Sequence, residues 1–338
     1  MKTLFNSNKF NMLKLFTVLS TMIFSQILTA APLKVGLVLD KGGKDDKSFN
    51  SAAYEGSTRA QKDLGIELKY VEATDINAIQ TLHKNFAHKN FDLIIGVGFA
   101  QVDAVKKVAA QFPKAKFVIV DGEVNSENVR SLLFEEHEGS YLVGAIAALK
   151  SKTGKVGFIG GMDIPLIRRF QMGFEAGAKK INPKATVFAN FIGVTGESWN
   201  NPPKAKELAI SQYTQGADVI FVAAGASGSG VFDAAEEQKK FAIGVDSNQN
   251  WIKPGLILTS MLKKVDEAVY DTIKLTQSGA FKGGVMRYGL QNKGVDYAVD
   301  KYNEKVLTAD IRKKVDELKS QIISGKIIVP DYYKKNVK

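Results

Sequence analysis

The chain has no cysteine, only three histidines and two tryptophans, and just eight prolines in 338 residues. Without a thiol it forms no disulfide, no thiolate metal site and no cysteine nucleophile. It also offers no cysteine for a lipid at a mature N-terminus. His83 and His88 lie five apart, off one helical face, and no HExxH pattern occurs. Metal or acid–base catalysis would therefore rest on carboxylates alone, and the sequence pairs none of them for that work. Neither an enzyme activity nor a cofactor nor a metal is expected. Long apolar runs are scarce as well. Residues 15–28 (LFTVLSTMIFSQIL) form an apolar stretch, too short for a bilayer core of about 30 Å, which takes roughly 20 residues.

That stretch has a different use. Lys2, Lys9 and Lys14 precede it or open it, and Thr29-Ala30-Ala31 follows. A basic segment, an apolar segment and small residues, in that order, read as a secretory signal over 1–30, cleaved after Ala30 or, alternatively, Ala31. Export without a lipid-bearing cysteine predicts a free, unanchored protein of the periplasm. The remaining chain of about 300 residues is long enough for two lobes with separate cores. Formal charge is +11, and the signal's three lysines leave +8. The lysines are scattered, with no compact Arg-rich block, so no nucleic-acid partner is expected. Attraction to anionic surfaces is the milder consequence.

What is present is an alternation of buried strands and helices. Leu33–Leu39, Leu93–Val97, Lys116–Val120, Lys155–Ile159, Val219–Val222 and Phe241–Val245 are short apolar runs. Helical stretches such as Ser48–Leu64, Ala78–Lys89, Val102–Phe112, Gly139–Leu149 and Lys204–Thr214 separate them. This pattern predicts an α/β fold with doubly wound parallel sheets, whose ligands sit at the carboxyl ends of the strands. An internal repeat predicts two such lobes. Lys34-Val35-Gly36, Phe49 and Gly56 recur as Lys155-Val156-Gly157, Phe170 and Gly177 at a constant offset of 121. Two similar lobes facing each other would present Phe49 and Phe170 to a shared cleft. The alternative is that both rings simply pack a helix on its sheet.

Loops that follow strands carry the candidate chemistry. Asp40 to Asn50 (DKGGKDDKSFN) combines two glycines, three acids, Phe49 and Asn50. Asp46 or Ser48 is placed to cap the helix that follows, while the exposed aromatic, the amide and the remaining acids exceed what a cap requires. Asp121 and Asp246 each follow a strand, where a carboxylate can accept two hydrogen bonds from a vicinal diol such as ribose. The run Ala223 to Gly230 (AAGASGSG) follows a strand and opens a helix. It lacks the lysine of a phosphate loop and reads as close backbone approach to a ligand or hinge.

The runs VLDKGGKDDKSFNSAAYEG, FVIVDG, KVGFIGGMDIPLIRRFQMGFEAGAK, GVTGESWNNPPKAKELA, AAGASGSGVF and GVDSNQNWIKPGLILTSMLKKVDEAVY resemble the basic membrane protein family, the PnrA-like nucleoside-binding proteins of ABC transporters. The resemblance spans about residue 33 to 330. It implies the type I periplasmic-binding fold, with two doubly wound lobes joined by three crossing strands. The lobes are expected over 31–135 plus 260–293 and over 136–259 plus 294–338. It implies base contacts from Asp40, Asp46 and Asn50, stacking by Phe49, and ribose contacts from Asp121 and Asp246. Lys263 would reach the sugar or its acids, and Gly225 would offer backbone. Phe170 and Trp199 both qualify as the second stacking ring. The implied function is substrate capture for an ABC importer, with a nucleoside (purine favoured) as ligand, a membrane permease as partner and a monomeric state. A sugar or other small polar solute is the alternative ligand, and an exported nucleoside-processing enzyme a further one. The family commonly carries a lipid anchor through cysteine, which this chain lacks.

Overall fold

The computed structural model describes residues 31–73 and 75–335. The signal expected over 1–30 and its cleavage point lie outside the described residues. The first lobe opens with β1 (Lys34–Leu39), α1 (Phe49–Leu64), β2 (Glu67–Glu72), α2 (Ile79–His88), β3 (Leu93–Val97), α3 (Val102–Gln111), β4 (Lys116–Val120) and β5 (Val129–Phe134). The second runs through α4 (Glu136–Lys150), β6 (Lys155–Met162), α5 (Pro165–Ile181), β7 (Thr186–Gly193), α6 (Pro202–Thr214), β8 (Val219–Ala223), α7 (Gly228–Gln238), β9 (Phe241–Asp246) and β10 (Ile257–Lys263). α8 (Val265–Gln277) and β11 (Gly284–Tyr288) return to the first lobe. β12 (Val295–Tyr297), α9 (Ala309–Ile323) and α10 (Tyr332–Lys335) finish in the second.

Two six-stranded sheets result, ordered β11-β5-β4-β3-β1-β2 and β12-β10-β9-β8-β6-β7. The first is parallel throughout. The second is parallel except where β12 pairs antiparallel with β10. The inner strands KVGLVL, LIIGV, KFVIV and VIFVA are apolar almost end to end and buried, because helices cover both faces of a parallel sheet. In each sheet the order reverses at one place, between β1 and β3 and between β6 and β8. Ligands of open α/β sheets bind beside such a reversal.

The chain crosses between lobes after β5, after β10 and after β11. β10 keeps its pairing with β9 as far as Leu262 and with β12 as far as Lys263. The return to the first lobe therefore comes after Lys263, slightly later than the boundary at 260 read from sequence, because Ser260 to Lys263 continue the strand. Among the described residues no helix is long and apolar enough to cross a membrane.

The repeated glycines have a packing cause. A Cβ on Gly56 would lie 2.3 Å from the backbone oxygen of Asp266, and one on Gly177 would lie 1.9 Å from that of Tyr141. α1 thus approaches α8, and α5 approaches α4, closely enough that only glycine fits.

Candidate functional site

The carboxyl ends of β1, β3 and β4 face those of β6, β8 and β9 across a cleft. All ten residues singled out in the sequence line one cavity there: Asp40, Asp46, Phe49, Asn50, Asp121, Phe170, Trp199, Gly225, Asp246 and Lys263. The non-atom space there is about 590 Å³ including open solvent, of which about 60 Å³ is open to the centres of water-sized molecules, so the lobes stand close together around it.

The loop after β1 is built around Asp46. Its Oδ1 accepts the Ser48 and Ser51 amides at 2.8 and 2.9 Å, and its Oδ2 accepts the Asn50 amide and Asn50 Nδ2, each at 2.9 Å. Asp46 therefore caps α1. Four accepted bonds use the lone pairs of both oxygens. Asn50 Oδ1 accepts the Asp40 amide at 2.8 Å, which fixes which way its side-chain amide faces. Burial raises the Asp40 carboxyl above its ordinary range, against the lowering effect of the Lys41 amide. Gly98, with φ 109°, makes room for it, since a Cβ there would stand 2.8 Å from Asp40 Oδ2.

Ser48, freed from capping, donates through Oγ to Asp246 Oδ2 at 2.5 Å in the other lobe. Asp246 and Asp121 end β9 and follow β4, corresponding strands of the two sheets, and both adopt φ 62°. Left-handed backbone is uncommon for a residue with a side chain, and aspartate tolerates it better than most. Lys263 sits between them. Its Nζ lies 2.5 Å from Asp121 Oδ2 and 3.1 Å from Glu136 Oε1, and 5.0, 5.1 and 5.6 Å from the ring centroids of Phe49, Phe134 and Phe170. Burial pulls the ammonium down, but Asp121, Glu136 and Asp246 outweigh it and hold Lys263 charged. Burial is also the main cause that pushes Asp121 up to about 7 and Asp246 up to about 6, with Lys263 opposing. Asp121 Oδ1 is buried and has no hydrogen-bond partner. A buried carboxylate oxygen without a partner is costly, and here it belongs to a residue that lines a cavity.

The second lobe supplies the apolar wall. Trp199 lies in the short turn Gly196–Asn200, against Gly161, where a Cβ would stand 2.2 Å from the indole. Ser227 Oγ donates to the Ser198 carbonyl at 2.8 Å and accepts the Asn201 amide at 2.7 Å, tying that turn to the loop that Gly225 opens at φ 56°. Phe170 is buried and packs on Phe221 at 6.5 Å. Both of its sequence readings thus hold at once: the ring packs its helix and lines the cavity. Across the mouth, Lys41 pairs with Glu197.

Several residues at the site escaped the sequence reading. Gly98 and Phe99 line the cavity and follow β3, so the rule about strand ends would have found them. Leu166 and Ile167 line it from the start of α5. Glu136 was hidden in the run Glu135-Glu136-His137-Glu138, which looks like an ordinary acidic helix start. Beside it, Arg169 bonds Glu135, Glu136, Asp331 and His137 at 2.6–3.0 Å. Glu135, His137 and Asp331 come close enough together to ligate an ion, but the Arg169 guanidinium fills the space among them.

Comparison with known proteins places this geometry. The profile of the Bmp family, described as ABC transporter substrate-binding protein PnrA-like, matches residues 33–332. The CD4+ T-cell-stimulating antigen of Listeria innocua is 36% identical over 321 residues, covering 88% of this chain and 88% of the relative. The protein named ABC transporter nucleoside-binding protein BmpA of Lactococcus lactis is 35% identical, covering 88% of this chain and 89% of the relative. Among solved structures, an ABC transporter solute-binding protein of Aeropyrum pernix superposes with a TM-score of 0.80 at 30% identity, covering 88% of this chain and 94% of that one. The fold is that of type I periplasmic binding proteins.

The expected location is corrected by the same relatives. A Pyrococcus abyssi protein 34% identical over 280 residues is named an uncharacterized lipoprotein, as is one from Pyrococcus horikoshii, and a Borreliella afzelii relative is basic membrane protein A. These names contradict a free, unanchored periplasmic protein. The inference failed because a missing cysteine excludes one attachment chemistry and says nothing about the others.

Proposed function

The chain belongs to the PnrA-like family of ABC transporter substrate-binding proteins, and from that premise we propose that its cleft captures a nucleoside, purine favoured, for a membrane permease. The observation that carries this reading is the unpartnered Asp121 Oδ1 in a cavity that also holds Asp246 and the rings of Phe49, Phe99, Phe170 and Trp199. Two carboxylates on facing lobes suit the vicinal hydroxyls of ribose, and aromatic faces suit a base. The Lactococcus relative's name, which specifies nucleoside binding, supports the same class.

In this reading Phe49 stacks on the base, Asp40 accepts hydrogen bonds from its edge, and Asp46 and Asn50 hold that loop in shape. Asp121 and Asp246 bind the ribose hydroxyls, Lys263 offsets the charge of both acids, and Gly225 offers backbone. Trp199 supplies the second stacking face, since Phe170 is already committed to Phe221. Ligand contacts both lobes only when they are closed, so it stabilises that form, which the permease then recognises. The ligand leaves unchanged. Calorimetric titration with adenosine, guanosine, inosine, uridine and ribose tests the reading. Tight binding of ribose with no binding of any nucleoside would sink it, and turnover of bound nucleoside would revive an enzymatic role.

A further inference from the structure

Arg169 heads the large side chains that are fully buried, and it stands in the middle of a line of alternating charges. Asp331 Oδ1 lies 2.8 Å from Arg169 Nε. Arg169 Nη1 lies 2.6 Å from Glu136 Oε2, and Glu136 Oε1 lies 3.1 Å from Lys263 Nζ. Lys263 Nζ in turn lies 2.5 Å from Asp121 Oδ2. None of the five side chains is more than 7% exposed. The line begins on the C-terminal segment, runs under the crossing between β5 and α4, and ends at the acid whose other oxygen has no partner. Asp331 itself does not line the ligand cavity.

We propose that Asp331 sets how tightly the cavity binds its ligand, acting as a positioning residue through Arg169, Glu136 and Lys263 on Asp121. In a buried line each charge is balanced mainly by its neighbours, because water does not screen it. With Asp331 neutral, Arg169 draws harder on its remaining acids, Glu136 and Glu135, each 2.6 Å away. Glu136 then holds Lys263 less, and Lys263 turns more fully onto Asp121, whose free oxygen becomes a poorer acceptor for a ligand hydroxyl. A segment that merely stabilised the fold would change the melting temperature and leave this coupling untouched.

The inference rests on the cavity being the nucleoside site, so the test separates the two. Inosine affinity is measured by calorimetry for wild type, Asp331→Asn, Asp121→Asn and the double variant. Asp331→Asn is expected to bind roughly ten-fold more weakly, an effect that disappears in the Asp121→Asn background because the two sites are coupled. Wild-type affinity in Asp331→Asn, or an equal loss in both backgrounds, overturns the proposal. Should Asp331→Asn fail to fold, Tyr333→Leu serves instead. That ring lies 4.7 Å from the Arg169 guanidinium and is 44% exposed, so its loss is expected to weaken binding about two-fold, and no change counts against the proposal. If wild type binds no nucleoside, the functional reading fails separately. The line is then read in the unliganded protein, through fluorophores on Lys107→Cys and Glu207→Cys in a chain free of other thiols. Asp331→Asn should alter the interlobe distance only when Asp121 is present, and identical distances in all four proteins overturn the inference.

Discussion

The two lobes share a frame and differ in what they hang on it. Corresponding strand ends carry corresponding residues: Asp121 and Asp246, both at φ 62°, and the glycines Gly98 and Gly225, both with positive φ. Phe49 opens α1, and its sequence match Phe170 lies in the second turn of α5. Yet the loop after β1 is a polar network built on Asp40, Asp46 and Asn50, whereas the start of α5 offers Leu166 and Ile167 and its neighbouring turn offers Trp199. The first jaw is the more polar and the second the more apolar, although Phe49 and Phe99 line the cavity from the first and Asp246 from the second. The shared frame thus accounts for the matched pair of acids, and the differing loops make the two jaws unlike. Under the function proposed above, that asymmetry matches a ligand with a flat face and a hydroxylated end.

The matched phenylalanines separate the jaws most strongly. Phe170 is buried with Phe221 beside it, so Phe170→Ala should cost about 3–5 kcal/mol of stability through the cavity it leaves. Phe49 is half-buried, so Phe49→Ala should cost far less stability and about 1–3 kcal/mol of nucleoside affinity, the range for stacking on a base. Urea unfolding and calorimetry on both variants check this. Equal stability losses would mean that the two rings play the same structural part after all.

The matched aspartates come next. Asp121→Asn and Asp246→Asn should each weaken nucleoside binding by about 1.5–3 kcal/mol, the size of a charge-assisted hydrogen bond. 2′-Deoxynucleosides should lose less than nucleosides in at least one of the two variants. If the deoxy forms lose as much in both, neither acid touches the 2′-hydroxyl.

The same pair gives the protein a dependence on pH. Burial pushes Asp121 up to about 7 and Asp246 up to about 6, above the ordinary value of 3.8 that the unfolded chain restores. Between 3.8 and those values the native state binds more protons than the unfolded state. Stability should therefore fall as pH rises through that window, by at most about 1.4 kcal/mol per pH unit for each site. Asp121→Asn should flatten the fall between pH 4 and 7 in urea unfolding. An unchanged slope would assign the protons to other groups.

The comparison also explains what the sequence disclosed. Apolar strands buried on both faces announce themselves as unbroken runs, which is why β1, β3, β4, β8 and β9 were legible. β2 (ELKYVE) and β7 (TVFANFIG) lie at sheet edges and are partly exposed, so they carry no such run. The ten cavity-lining residues were legible partly because open α/β sheets place clefts at strand ends and partly through resemblance to a known family. Trp199 and Lys263 owe their selection to resemblance alone. Glu136 and Asp331 were illegible for a physical reason. Their importance comes from contacts with Arg169 and Lys263 made across 33 to 162 residues of chain, and no local pattern records such contacts.

The smallest expected effect lies at the mouth, where the polar jaw meets the apolar one. Lys41 and Glu197 pair there with side chains 33% and 68% exposed. A pair so open to water contributes about 0–1 kcal/mol, so Glu197→Gln should weaken nucleoside binding no more than about five-fold. The difference from wild type should shrink further in salt, which screens exposed charges beyond about 3 Å at 1 M. Calorimetry at low and high salt reads both effects. A loss much greater than ten-fold, persisting in salt, would mean that Glu197 reaches the ligand itself. The second lobe would then bring an acid of its own to the base, and the division into a polar and an apolar jaw would give way to two polar ones.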